Sequence, residues 1–347
     1  MRKKFLKTLV CLILLLTFCC MSLTGCGAEK KKDTSGKVEI YTSIYPFAID
    51  MMAEKLKEEF PELDIEFFYG GTGTLQTKLA GEMETGTLGC DMMLVAEPAY
   101  SLELKEEGWL HSFAVENADT LLRFPYDPDG YWYPVRVCNM VLAYNPELYS
   151  PEELPATFYD FAYDESLKGL ISMGNPLTSG TTMAAIAALS DKYGYEYFEA
   201  LGRNDVMIES GSTALAKLQT GECKVIMILE ESVLKERKEN GSELACIYPE
   251  DGVILMPSTV MIVDEEKSLN MNTEACEQIA RWMLSEEGQQ LILEAYMHSV
   301  AANTVETPYD SVDTDRLIAQ DMGVDWERCY KEREEIRTKF QEYVTVE

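Results

Sequence analysis

The sequence predicts an α/β protein built as two lobes joined by two crossings of the chain. Three observations carry this. Short apolar strand candidates alternate with amphipathic helix candidates, the pattern of a parallel sheet with helices on its faces. At 347 residues the chain is longer than one hydrophobic core comfortably holds. Two long apolar stretches, 131–145 and 246–264, fit no strand–helix unit and read as the crossings.

Residues 1–25 read as an export signal. Arg2, Lys3, Lys4 and Lys7 precede an apolar run from Leu9 to Leu16, interrupted only by Cys11. Leu23-Thr24-Gly25-Cys26 resembles a bacterial lipoprotein signal, with cleavage before Cys26 and lipid on its thiol. The alternative is an ordinary secretory signal with a chance cysteine. Residues 26–37 then form a lipidated polar tether, since AEKKKDTSGK has no apolar periodicity. Residues 38–137 with 260–347 are assigned to lobe 1, and residues 138–259 to lobe 2.

Lobe 1 opens with a strand at 38–42 and a helix at 48–60, ended by Pro61. A strand at 65–68 follows. The glycine-rich loop 70–74 runs into a helix to about Glu84. A strand at 91–95 and a helix from Pro98 complete the unit. The crossing at 131–145 is expected to break at Pro134. Lobe 2 repeats the alternation, with strands at 170–173, 206–209 and 225–229. Its helices are expected at 181–193, 195–201, 213–220 and 232–239. After the return crossing come helices at 273–284 and 286–296 and a charged, mostly helical tail from 321 to 343.

The net charge of −30 argues against nucleic acid and anionic membrane surfaces as partners. Six of the ten cysteines lie beyond residue 26, widely spaced and without a CxxC pair. Several sit inside apolar runs, which favours buried free thiols over disulfides. No GxSxG elbow, HExxH pair or GxxxxGK[ST] loop occurs, and only His111 and His298 are present. The sequence therefore points away from an enzyme and implies no cofactor and no resident metal.

Four loops share one grammar: a strand, then small hydroxyl or glycine residues, then a helix. They contain Ser43; Thr72, Gly73 and Thr74; Thr178, Ser179, Gly180 and Thr181; and Ser212 with Thr213. A helix start presents N–H groups without internal partners, which an anionic oxygen satisfies. The same residues serve equally as ordinary caps and turns. Glu230 and Glu231 follow the strand VIMIL and are expected to face the cleft, where a carboxylate suits an amine, hydroxyls or a metal. Arg136, the sole basic residue of its crossing, is expected to neutralise a ligand anion or to pair with a structural acid. Tyr45, Trp132 and Tyr133 are candidate cleft walls.

Several stretches together resemble bacterial extracellular solute-binding proteins of ABC transporters. They are YTS (41–43), GTGTLQTKLAGE (71–82), VLAYNPE (141–147), NPLTSGTT (175–182), SGSTALAKLQTGE (210–222) and ARWMLSEEGQQLI (280–292). The resemblance is to the group containing ferric-iron, 2-aminoethylphosphonate, hexose-phosphate and thiamine binders. It implies a type 2 periplasmic-binding-protein (Venus flytrap) fold, a monomer that traps a small solute, an ABC permease as partner, and residence on the extracytoplasmic face. Ferric members carry a His near the first strand and a Tyr pair where this chain has Glu230 and Glu231. With Ser43, Ile44 and Tyr45 at the other position, the iron site of the family is missing. The glycine–hydroxyl loops match its phosphate and phosphonate binders. A ferric or other metal receptor, and a sensor or structural lipoprotein, are the alternatives.

Overall fold

The computed structural model describes residues 36–346. The signal segment, Cys26 and the tether up to residue 35 lie outside the described residues. The chain runs through β1 (Lys37–Thr42), α1 (Pro46–Glu59), β2 (Asp64–Tyr69), α2 (Thr72–Met83), β3 (Met92–Val95), α3 (Pro98–Glu106), β4 (Leu110–His111), α4 (Ala118–Leu121) and β5 (Trp132–Tyr144). It continues through α5 (Phe158–Tyr163), β6 (Ile171–Met173), α6 (Gly180–Tyr193), α7 (Glu196–Arg203), β7 (Met207–Ile208), α8 (Gly211–Thr220), β8 (Val225–Leu229) and α9 (Glu230–Asn240). It ends with β9 (Ala245–Ile247), β10 (Ile254–Val263), α10 (Thr273–Met283), α11 (Glu286–Glu294), α12 (Thr314–Gln320), α13 (Trp326–Lys331) and α14 (Arg333–Tyr343).

The main sheet runs β2-β1-β3-β10-β5-β8-β6-β7. Its first half pairs β1 in parallel with β2 and β3, and its second half pairs β6 in parallel with β7 and β8. Between them β5 and β10 lie antiparallel to each other and to their outer neighbours. These two long strands are the expected crossings. Pro134 does not break β5. Thr259 pairs with Pro134 and Ser258 with Arg136, so a bulge at this point absorbs the proline's missing N–H.

Each half has a main core with a smaller cluster on the other face of its strands. Ile40, Leu56, Met92, Ile262 and Ile279 fill the first main core, and Phe158, Phe161, Met173, Ile186 and Met227 the second. At about 1.5–3 kcal/mol for each large side chain removed from water, these buried clusters carry the apolar drive to fold. The sequence reading grouped the tail with the first half. Cys329, Ile336 and Phe340 instead pack into the second core, with the Phe340 ring edge-on to Phe198 at 5.3 Å. Arg333, from the same segment, reaches across to Glu103 of α3. Cys90, Cys138, Cys223, Cys246, Cys276 and Cys329 are free, and all but Cys246 are buried.

Candidate functional site

The strand–loop–helix grammar acquires a geometry here. Helices α2, α6 and α8 each start directly after a glycine or serine, and none has an acidic residue in its first turn. Ser179 caps α6 by accepting from the Thr182 N–H, and Ser210 caps α8 by accepting from Thr213. The partly positive N-termini of these helices are therefore not neutralised by carboxylates of their own. Helix α2 begins at Thr72, so Thr72, Gly73 and Thr74 form a first helical turn rather than a loop before it.

A cavity of about 710 Å³ lies where these starts converge. Ser43, Tyr45, Thr72, Thr74, Arg136, Thr178, Ser179, Gly180, Thr181 and Ser212 all line it. The sequence reading named each of them. A contiguous chamber of about 340 Å³ extends between α6 and α8 toward Asn175, Met140 and Met227. Gly73 and Thr213 are not lining residues: the Gly73 N–H donates to the Thr178 carbonyl, and the Thr213 hydroxyl contacts Ser210 Oγ at 2.9 Å.

Arg136 is fully buried beside the cavity, and its Nη1 donates to Glu231 Oε1 at 3.3 Å and to Met297 Sδ at 2.8 Å. Its Nε has no hydrogen-bond partner among the described residues. A buried guanidinium with an unused donor suits an anionic guest.

Glu230 and Glu231 do not face the cleft. Helix α9 starts two residues earlier than its periodicity suggests, which turns both carboxylates into the interior. Glu230 Oε2 accepts from Asn139 Nδ2 at 2.9 Å and lies 3.0 Å from His298 Nε2, while Oε1 accepts from the Tyr248 and Ser311 hydroxyls. Burial alone would raise its pKa, but these donors, His298 foremost, hold it below the usual carboxylate range. Glu231 is raised by burial, against the pull of Arg136. Trp132 and Tyr133 are packing residues, buried in the two first-half cores, and the Tyr133 hydroxyl donates to the Phe113 carbonyl at 2.9 Å.

The sequence reading missed Phe47, Tyr69, Ser232, Lys235 and Glu236, which also line the cavity. The Ser232 hydroxyl donates to Tyr45 Oη at 3.0 Å, and Lys235 Nζ stands 5.1 Å from the Phe47 ring centroid. The i, i+3 spacing of Ser232 and Lys235 on α9 was the available signal. Among the described residues no group of three or more His, Cys, Asp and Glu side chains is arranged to hold a metal ion.

Residues 92–322 match the family model described as "Bacterial extracellular solute-binding protein". The chain belongs to that family. No curated protein matches it. Among solved structures it resembles the periplasmic binding protein AfuA from Actinobacillus pleuropneumoniae with exogenous fructose-6-phosphate bound. That match has a TM-score of 0.77 and 21% identity, covering 90% of this chain and 100% of the other. It also resembles iron-bound HitA from Pseudomonas aeruginosa, with TM-score 0.76, 18% identity and coverage of 88% and 99%. The ferric binding protein from Campylobacter jejuni gives 0.73, 16%, 88% and 99%. At such identities these structures establish the fold, that of two-lobed type 2 periplasmic binding proteins. The two halves of the sheet are its lobes and the cavity lies between them. As a family member the chain is an extracytoplasmic solute-binding component of an ABC transporter.

Proposed function

We propose that the cleft captures a small anionic phosphorylated or phosphonate solute, for delivery to an ABC permease by a protein tethered through lipid on Cys26. One observation carries this reading. The acid-free first turns of α2, α6 and α8, with their hydroxyls and Arg136, meet at a single cavity. Unpaired N–H groups, hydroxyls and a guanidinium form a donor-rich cradle for the oxygens of a phosphoryl group. Glu236 is the one carboxylate on the cavity wall among the described residues. A ferric reading has less support: Glu230 and Glu231, the hard-oxygen candidates, already bond to His298, Asn139 and Arg136.

The test is a calorimetric and thermal-shift comparison of fructose 6-phosphate, 2-aminoethylphosphonate and ferric citrate. A phosphorus-bearing solute is expected to bind and to raise the melting temperature. Thr181→Tyr, which fills the cavity from the first turn of α6, is expected to abolish that binding with the ligand-free melting temperature nearly unchanged. Binding of ferric citrate alone, or undiminished affinity in Thr181→Tyr, would contradict the proposal.

A further inference from the structure

The lobes meet at a seam beside the cavity where no side chain fits. The N–H of Gly73, in the first turn of α2, donates 3.0 Å to the carbonyl of Thr178 in the opposite lobe. A Cβ on Gly73 would stand 2.5 Å from the Leu177 carbonyl oxygen and 2.9 Å from the Thr178 Cα. A Cβ on Gly71 would stand 2.8 Å from the Thr178 carbonyl oxygen. From the other side, a Cβ on Gly180 would stand 2.6 Å from Thr72 Oγ1 and 2.8 Å from Thr72 Cβ. The obstacles are backbone atoms and a buried β-branched stem, which cannot swing aside.

None of these three glycines has a positive φ. Their backbones ask for no glycine. Gly73 lies inside a helix, where alanine is the better residue by about 1 kcal/mol. The need for glycine comes from the other lobe.

We infer that Gly71, Gly73 and Gly180 are positioning residues that let the lobes close backbone to backbone, and that the Gly73–Thr178 hydrogen bond sets the closed register. Open, the cleft has no use for them. Closed, they bring the starts of α2 and α6 within reach of one guest. Gly73, expected from the sequence to touch ligand, acts through the seam instead. This rests on the cleft being a trap between lobes, and it holds whichever solute is trapped.

The test is a distance distribution between spin labels at exposed Thr85 and Glu152, one on each lobe, with and without fructose 6-phosphate. Wild type is compared with Gly73→Ala, Gly180→Ala and the control Gly81→Ala. Gly81 lies in the same helix, and a Cβ there meets nothing within 4 Å. The expected result is a short-distance population in wild type and Gly81→Ala that is lost in Gly73→Ala and Gly180→Ala. Gly73→Ala should keep its melting temperature, and where the sugar phosphate binds wild type its affinity should fall at least tenfold. A short-distance population in Gly73→Ala equal to wild type, or none in wild type under either condition, overturns the inference. A short population that ignores the sugar phosphate supports the seam and counts against the phosphate reading.

Discussion

Helices α6 and α9 both begin at a loop or strand end of the second lobe, yet their first turns differ. The start of α6 carries Ser179, Gly180 and Thr181 and no acid. The start of α9 carries Glu230 and Glu231, so its partly positive end already has anions of its own. Those anions are further held by Asn139, His298 and Arg136. One helix start is satisfied from within and is structural. The other is capped by Ser179 alone and has no acid of its own, which is why the proposed guest is placed there. The lesson is to ask of every helix start who already occupies it.

Removing the occupant of α9 is the harshest way to break this contrast. Glu230→Ala strands the buried His298 and Asn139 without their acceptor. It should cost about 3 kcal/mol in urea unfolding, the usual range for one partner lost from a buried charged network. A loss below about 0.5 kcal/mol, within the range of ordinary surface substitutions, would mean that the carboxylate is not structural.

Glu97 sharpens the contrast, because it is a buried carboxyl at the start of α3 with Oε2 unpartnered. Burial pushes its pKa up to about 7, with Arg333 of the tail pulling the other way. The folded state therefore binds a proton more readily than the unfolded chain does. Its share of stability is full below the ordinary carboxyl range and is lost as pH rises toward 7. Glu97→Gln should gain on the order of 2 kcal/mol over wild type at pH 8 and nothing at pH 4. Parallel melting curves for the two proteins across that range would refute the assignment.

The smallest effect on stability is expected at the cap of α6. Ser179→Ala should cost about 1 kcal/mol of stability, because the Thr182 N–H loses its acceptor. Binding should fall by a larger factor than stability alone explains. An unchanged affinity would make Ser179 a cap and nothing more.

Most of the fold was legible in the sequence. Strand and helix periods located nearly every long element, and the two apolar stretches marked β5 and β10. Pro134 misled because a bulge in the ladder, invisible to a one-strand reading, removes the need for its N–H. The hydroxyl loops could be located in the sequence but their use could not, because glycine and hydroxyl residues at helix starts serve as caps and turns as readily as binding groups. Glu230 and Glu231 were misplaced for two reasons. The helix begins two residues early, and the groups that claim Glu230 are distant in sequence, His298 by 68 residues and Ser311 by 81. The seam role inferred for Gly73 was hidden because the carbonyl that excludes a side chain there belongs to Leu177, which is distant in sequence.

The most direct test of the central claim is native mass spectrometry of residues 27–347, purified without refolding. A phosphorus-containing organic adduct that disappears in Thr181→Tyr and persists in Gly81→Ala is the predicted result. An iron or divalent-metal adduct that survives Thr181→Tyr would contradict it.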